Sequence, residues 1–260
     1  QYLVKSASRW APDWQVLGLT RDQLDLTDGV AVTSAFRRHN PDLIIHCAAL
    51  SRTKDCERDP DRAKRINVGA TATLSDLARN IRFIFLSSGE VFDGATGWYC
   101  ESDEPNPINE YGRTKREAER VVLQTAAQTV VRIVLTAGTS EGANRSFVED
   151  MSRAARAGSG VTLYADEFRC PLPAGVVARA LWEVAKRDTP GLYHLGGSER
   201  LSRWEIGGLL LPWYPVLQWR LVKGSARNHE GAPRPVDLSL SCDKIQKVLS
   251  FPIPGLRSWL

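Results

Sequence analysis

The sequence predicts an α/β fold, a doubly wound parallel sheet with a smaller lobe after it. Three observations carry that expectation. Apolar runs rich in β-branched residues alternate with amphipathic segments through the first half of the chain. Two of these runs, residues 42–49 and 83–86, are apolar almost throughout, as strands covered on both faces must be. After Gly138 the alternation loosens, and Pro, Trp and loop residues become denser.

The elements follow in order. Tyr2 to Arg9 reads as the tail of a helix, because Pro12 stops one. Residues 16–19 form a short apolar strand. Thr27 or Asp28 caps a helix that carries Val30, Val32, Ala35 and Phe36 on one side. The strand at 42–49 leads to a long helix over about 60–79, and Asp55, Glu57, Asp59 and Asp61 read as a solvated loop and helix start. The strand at 83–86 ends in Ser87-Ser88-Gly89. A Gly/Pro-rich loop over 93–107 precedes a helix at about 108–124 and a strand at 130–135. Right-handed crossovers between such units make the sheet parallel, and its ligands gather at the carboxyl ends of the strands. Further on, helices are predicted at 146–157, 175–186 and 204–211, and strands at 161–164, 192–195 and 219–222. Residues 1–138 are thus the main sheet unit, and 139–260 mainly a smaller lobe, with some segments returning to the sheet.

Composition excludes several classes of function. The 260 residues are 43% hydrophobic and 25% charged, which is ordinary globular usage. No apolar stretch is long enough for a membrane span, and no signal peptide is visible. The net charge of +4 is spread among interspersed signs, without the basic stripe of a nucleic-acid binder. Five cysteines without a C-x-x-C or Cys/His cluster point to neither a disulfide framework nor a metal site, and so to the cytoplasm. His46 and His194 read as packed core histidines. Trp204, Trp213 and Trp219 read as core or partner surface.

Tyr111 and Lys115 are the candidates for chemistry, with a solvated helix face as the alternative. Their i, i+4 spacing puts them on one helix face. An ammonium near a phenol stabilises phenolate, which fits Tyr111 for general acid work on a carbonyl. Ser88, at the end of a buried strand, can hydrogen-bond the same oxygen.

These residues sit in a wider pattern. Leu24-Asp25-Leu26-Thr27-Asp28, His46-Cys47-Ala48-Ala49, Asn67-Val68 with Thr71, Val91-Phe92-Asp93-Gly94, Tyr111-Gly112-Arg113-Thr114-Lys115, Arg132, Arg234-Pro235 and Ser241-Cys242-Asp243-Lys244 occur in that order. The chain resembles the extended short-chain dehydrogenase/reductases, and among them the dTDP-4-dehydrorhamnose reductase family and related sugar-nucleotide enzymes. The resemblance implies a Rossmann-like doubly wound sheet with a C-terminal substrate lobe. It implies Tyr111 as proton donor, Lys115 as ribose-binding partner and Ser88 as carbonyl hydrogen-bond donor. Asp25 and Leu26 would sit beside the adenine, with Ala48, Ala49 and Leu50 along the cofactor. Ser88, Gly89 and Leu135 would face the substrate. Two of these depart from the family pattern: Gly89 stands where a carboxylate is usual, and Leu135 where a Trp is.

The resemblance implies an NADP(H)-dependent reductase of a nucleotide-activated keto sugar, free of nucleic acid and membrane. The alternatives are an epimerase or dehydratase on the same substrates, or a non-catalytic regulatory subunit that binds cofactor. Arg21, after Thr20 at the end of the second predicted strand, would pair with a 2′-phosphate, so NADP(H) is expected ahead of NAD(H). A homodimer is compatible with this reading. No G-x-x-G-x-x-G occurs in the chain. The natural protein is therefore expected to carry roughly 15–20 residues ahead of Gln1, forming one strand and a Gly-rich turn.

Overall fold

The computed structural model describes residues 1–140 and 146–260. Helix α1 (Tyr2–Trp10) opens the chain. Residues 16–19 pack Gly18 against Val4 of α1 but join no sheet. This corrects the expectation of a strand. A strand is stabilised by its ladder, and among the described residues none pairs with this stretch, which leaves Leu17 and Leu19 exposed. Asp28 caps α2 (Gly29–His39) by accepting from the Val30 and Ala31 amides, both at 3.0 Å.

Strand β1 (Leu43–His46) is followed by α3 (Thr53–Arg58), a helix where the alternating charges suggested a loop. The predicted helix at 60–79 is three pieces end to end: α4 (Pro60–Lys64), a π turn (Arg65–Gly69) and α5 (Ala70–Leu77). A π turn carries an i→i+5 ladder inside an α-helix and recurs at functional sites. Strand β2 (Arg82–Ser88), α6 (Glu110–Val122) and β3 (Thr129–Ile133) complete the first unit.

The second half begins with β4 (Thr136–Ala137) and α7 (Phe147–Arg156), whose Ser146 and Glu149 form a capping box. Strands β5 (Val161–Tyr164), β6 (Phe168–Arg169) and β7 (Leu172–Pro173) precede α8 (Ala174–Arg187) and β8 (Gly191–Leu195). Then come β9 (Leu201–Ser202), α9 (Arg203–Leu210), β10 (Leu221–Gly224), α10 (Asp243–Gln246) and α11 (Leu256–Trp259). Strand β10 starts two residues later than predicted because Trp219, at φ 67, lies outside the β region.

The main sheet runs β1-β2-β3-β8, all parallel. Alternate residues of each strand serve opposite faces. Phe83, Phe85 and Val130 meet Val32, Ala118 and Val122 on one side. Ile84, Val131 and Leu195 meet Leu181 and Val184 of α8 on the other. The lobe has its own core of Val148, Met151, Leu163, Ile206 and Leu217. Each such buried side chain contributes about 1.5–3 kcal/mol. Small sheets join the lobe: β5 with β10 and β4 with β7 in parallel, β6 with β9 antiparallel. His46 and His194 are buried, and burial first of all drives each imidazole down to about 3. No helix among the described residues is long and apolar enough to cross a membrane.

Candidate active site

The carboxyl end of β2 and the start of α6 meet at one point. Ser88 ends the strand and caps a single 3₁₀ turn (Gly89–Val91), its Oγ accepting from the Glu90 amide at 3.2 Å. Asn109 caps α6, accepting from the Gly112 amide at 2.8 Å. The same side chain donates to Glu90 Oε2 at 2.7 Å and to the Pro233 carbonyl at 3.2 Å. Gly112 is in tight contact with the Glu90 backbone, where a Cβ would collide with the carbonyl. Strand end, turn and helix start are thereby fixed to one another.

Tyr111 lies in the first turn of α6, half-buried, with the Ser88 side chain near enough to act on its phenol. Burial pushes its phenol well above the usual tyrosine range. Ser88 pulls it down, while Glu90 and Cys56 push it further up. Lys115, one turn on, is buried. Its Nζ donates to the Leu86 carbonyl at 2.7 Å and lies 3.9 Å from the centre of the Phe85 ring. Burial lowers its pKa to about 7, against the pull of Glu119 and Cys47. The lysine charge is therefore turned to the sheet rather than to the phenol.

Asn67, in the π turn, was part of the sequence pattern but had been given no role. Buried to 1% exposure, it accepts from the Leu50 amide at 2.8 Å and donates to the Leu50 carbonyl at 3.1 Å. It also donates to Thr114 Oγ1 at 3.0 Å, and that hydroxyl donates to the Tyr111 carbonyl at 2.8 Å. One amide thus ties the loop after β1 to the helix of Tyr111. A π turn leaves no mark in an apolar pattern, so this clamp was hidden.

The other expected site residues lie around this centre. Ala48 is exposed and Ala49 and Leu50 are half-buried, so small side chains leave the backbone open at the carboxyl end of β1. Asp25 is exposed and accepts from Thr27 N and Oγ1 at 2.9 and 2.8 Å, which hold its carboxyl below the usual range. Arg21 forms a solvated pair with Asp25 at 3.6 Å. Leu26 packs on the α2–sheet core. Gly89 is buried, and a Cβ there would stand 2.8 Å from Val134 Cγ1. Leu135 packs on the lobe core.

A charged cluster that sequence reasoning missed adjoins the site. Glu167 is 1% exposed and lies among Arg169, Arg203 and Arg234, while Glu90 stands 3.9 Å from Arg169. Burial works against the Glu167 charge, but the three arginines hold its carboxyl below the ordinary range.

Comparison with known proteins places the whole chain. A family model described as "RmlD substrate binding domain" matches residues 3–260. A dTDP-4-dehydrorhamnose reductase of Sinorhizobium fredii (strain NBRC 101917 / NGR234) is 30% identical over 258 residues, covering 94% of this chain and 86% of that protein. Methionine adenosyltransferase 2 subunit beta of Rattus norvegicus is 31% identical over 235 residues, 86% of this chain and 70% of that protein. Among solved structures, a hypothetical dTDP-4-dehydrorhamnose reductase from Sulfolobus tokodaii superposes with TM-score 0.84 at 26% identity, covering 98% of this chain and 94% of that one. The dTDP-4-dehydrorhamnose reductase of Bacillus anthracis str. Ames in complex with NADP shares the fold with TM-score 0.88 at 20% identity, covering 99% and 92%.

Proposed function

Since the chain belongs to the RmlD substrate-binding-domain family, we propose that it is an NADP(H)-dependent reductase of a nucleotide-activated keto sugar. The observation that carries this reading is the meeting of Ser88 with the Tyr111–Lys115 helix at the carboxyl end of a parallel strand, where ligands of such sheets bind. The open backbone at Ala48 and Ala49 fits the close approach of a dinucleotide. No Gly-rich phosphate loop is among the 260 residues, so no contact to the cofactor's diphosphate is assigned. When bound there, NADPH would supply the hydride that reduces the keto carbon. Tyr111 gives its proton to the carbonyl oxygen as charge develops there, and its raised pKa keeps it protonated until then. Ser88 donates to the same oxygen and holds it beside the phenol. Lys115 is assigned the ribose hydroxyls. Arg21 is exposed, and a 2′-phosphate can compete with Asp25 for it, which favours NADP(H) while leaving NAD(H) usable. The main sheet is assigned to the cofactor, and the lobe after residue 138 mainly to the sugar nucleotide.

A second reading rests on the methionine adenosyltransferase subunits among the relatives: a subunit that serves another enzyme. Turnover separates the two. Full-length protein is assayed with NADPH and a dTDP-4-keto-6-deoxy sugar, and Tyr111→Phe should lower turnover by roughly 10²–10⁴-fold while NADPH still binds. Ser88→Ala should cost less, on the order of one hydrogen bond to a charged group. No turnover by the parent protein favours the subunit reading, and full turnover by Tyr111→Phe removes the catalytic assignment.

A further inference from the structure

Within the charged cluster, the three arginines are not equivalent. Both carboxylate oxygens of Glu167 are taken by Arg234, at 3.0 and 2.9 Å, and Oε1 also meets Arg169 at 3.1 Å. Arg169 spends the rest of its fork on the carbonyls of Phe168, Pro235 and Val236, at 2.7, 3.1 and 3.3 Å. Arg203 has no such anchorage. Its nearest carboxylate oxygen, Glu167 Oε1, is 3.9 Å away, and its guanidinium lies 4.3 Å from the centre of the Phe147 ring. No described residue accepts a hydrogen bond from it. Yet its side chain is only 15% exposed.

A guanidinium presents five N–H donors in a rigid fork. A largely buried charge is most stable when paired and hydrogen-bonded. The groups facing Arg203 are Glu167 and Glu90 against Arg169 and Arg234. With Arg203 itself, three cations stand against two carboxylates among the described residues. Burial, more than any neighbour, lowers its pKa to about 10. Glu90 cannot turn to it freely, because Asn109 holds one of its oxygens.

We infer that Arg203 is an anion-binding residue whose ligand is a phosphoryl group, taken in the plane of the fork with the Phe147 ring behind it. A phosphoryl group offers the oxygen acceptors this fork lacks and the charge the cluster lacks. If the proposed substrate class is right, on which this last step rests, the phosphoryl group is part of the nucleotide's diphosphate. Glu90, two residues past Ser88, borders both the cluster and the reacting centre. The anion is thereby gripped on the lobe side while the sugar carbonyl lies at Tyr111.

The test is calorimetric titration of the full chain with inorganic pyrophosphate and with dTDP, repeated on Arg203→Met and Arg203→Lys. Both ligands should bind the parent protein and compete. Arg203→Met should weaken each by on the order of 10-fold or more, and Arg203→Lys should recover part of the loss, because a point charge replaces the fork. NADPH affinity should be unchanged. Arg203→Met should melt no lower than the parent, since it removes a largely buried cation whose nearest carboxylate oxygen is 3.9 Å away. A lower melting point with unchanged pyrophosphate and dTDP affinities would mean a purely structural arginine and overturn the inference. So would a parent protein that binds neither ligand. Pyrophosphate binding that depends on Arg203, without dTDP binding, would keep the anion site and overturn the nucleotide-sugar reading instead.

Discussion

Lys115 shows how far one residue's surroundings change its behaviour. Buried against Phe85 and the Leu86 carbonyl, it titrates at about 7 rather than 10.5. The unfolded chain keeps that proton to the higher value, so between the two it binds more protons than the folded chain. Stability therefore rises with pH across that window and is least below pH 7. Lys115→Met should accordingly melt highest relative to the parent at pH 6, and the advantage should narrow toward pH 10 in thermal scans. A constant gap across that range would mean that the ammonium is not desolvated. At this scale the candidate site was partly legible. Ser88, Tyr111 and Lys115 could be found because a strand end and a helical spacing are local patterns. Arg203 could not, because Phe147, Glu167 and Arg234 reach it from three distant segments. The direction of the Lys115 side chain was equally hidden, being set by strand β2 rather than by its own helix.

Helix α6 is the element on which the site is built, and its first turn has almost no freedom. Asn109 caps it and ties it to Glu90, and Gly112 lets it lie on the Glu90 carbonyl. The obstacle to a side chain at Gly112 is backbone, which cannot turn aside. Gly112→Ala should destabilise the fold by about 1–3 kcal/mol, the usual cost of overpacking, despite the higher helix propensity of alanine. Urea unfolding measures it, and a neutral or stabilised variant would show that the turn at 89–91 can yield. Most helices were legible because capping residues announce them. Asp28, Ser146 and Ser202 each cap the helix that follows. The failures have identifiable causes. The stretch at 16–19 has strand composition without a ladder, and the helix at 60–79 conceals a π turn beneath an unbroken pattern.

At the scale of the whole molecule, the two halves are joined by a buried polar network as well as by apolar packing. Glu119 of α6 and Arg132 of β3, each with a side chain 3% exposed, form a fork at 2.7, 3.0 and 3.2 Å. Arg132 also reaches His194 of β8 at 3.3 Å, and that imidazole contacts the Tyr99 carbonyl at 3.0 Å. Glu119→Gln leaves a buried guanidinium without its counter-charge and should cost about 3–5 kcal/mol. A loss below about 1 kcal/mol in urea unfolding, the range of exposed pairs, would mean that water reaches the pair. The parallel order of the sheet was legible from its doubly apolar strands. The small two-stranded sheets of the lobe were not, since β4, β6, β7 and β9 have two residues each, too few to leave a period.

The route of the chain has a consequence for cutting it. The backbone leaves the main sheet after Ile133, builds much of the lobe, and returns at Gly191 to lay β8 along β3. A protease nick between residues 140 and 146 would therefore not release a free lobe. The carboxyl-terminal piece keeps an edge strand of the sheet, and the amino-terminal piece keeps the three strands beside it. Two polypeptides, 1–140 and 146–260, should assemble when made together and elute as one particle in gel filtration. Each made alone exposes a raw sheet edge and should aggregate.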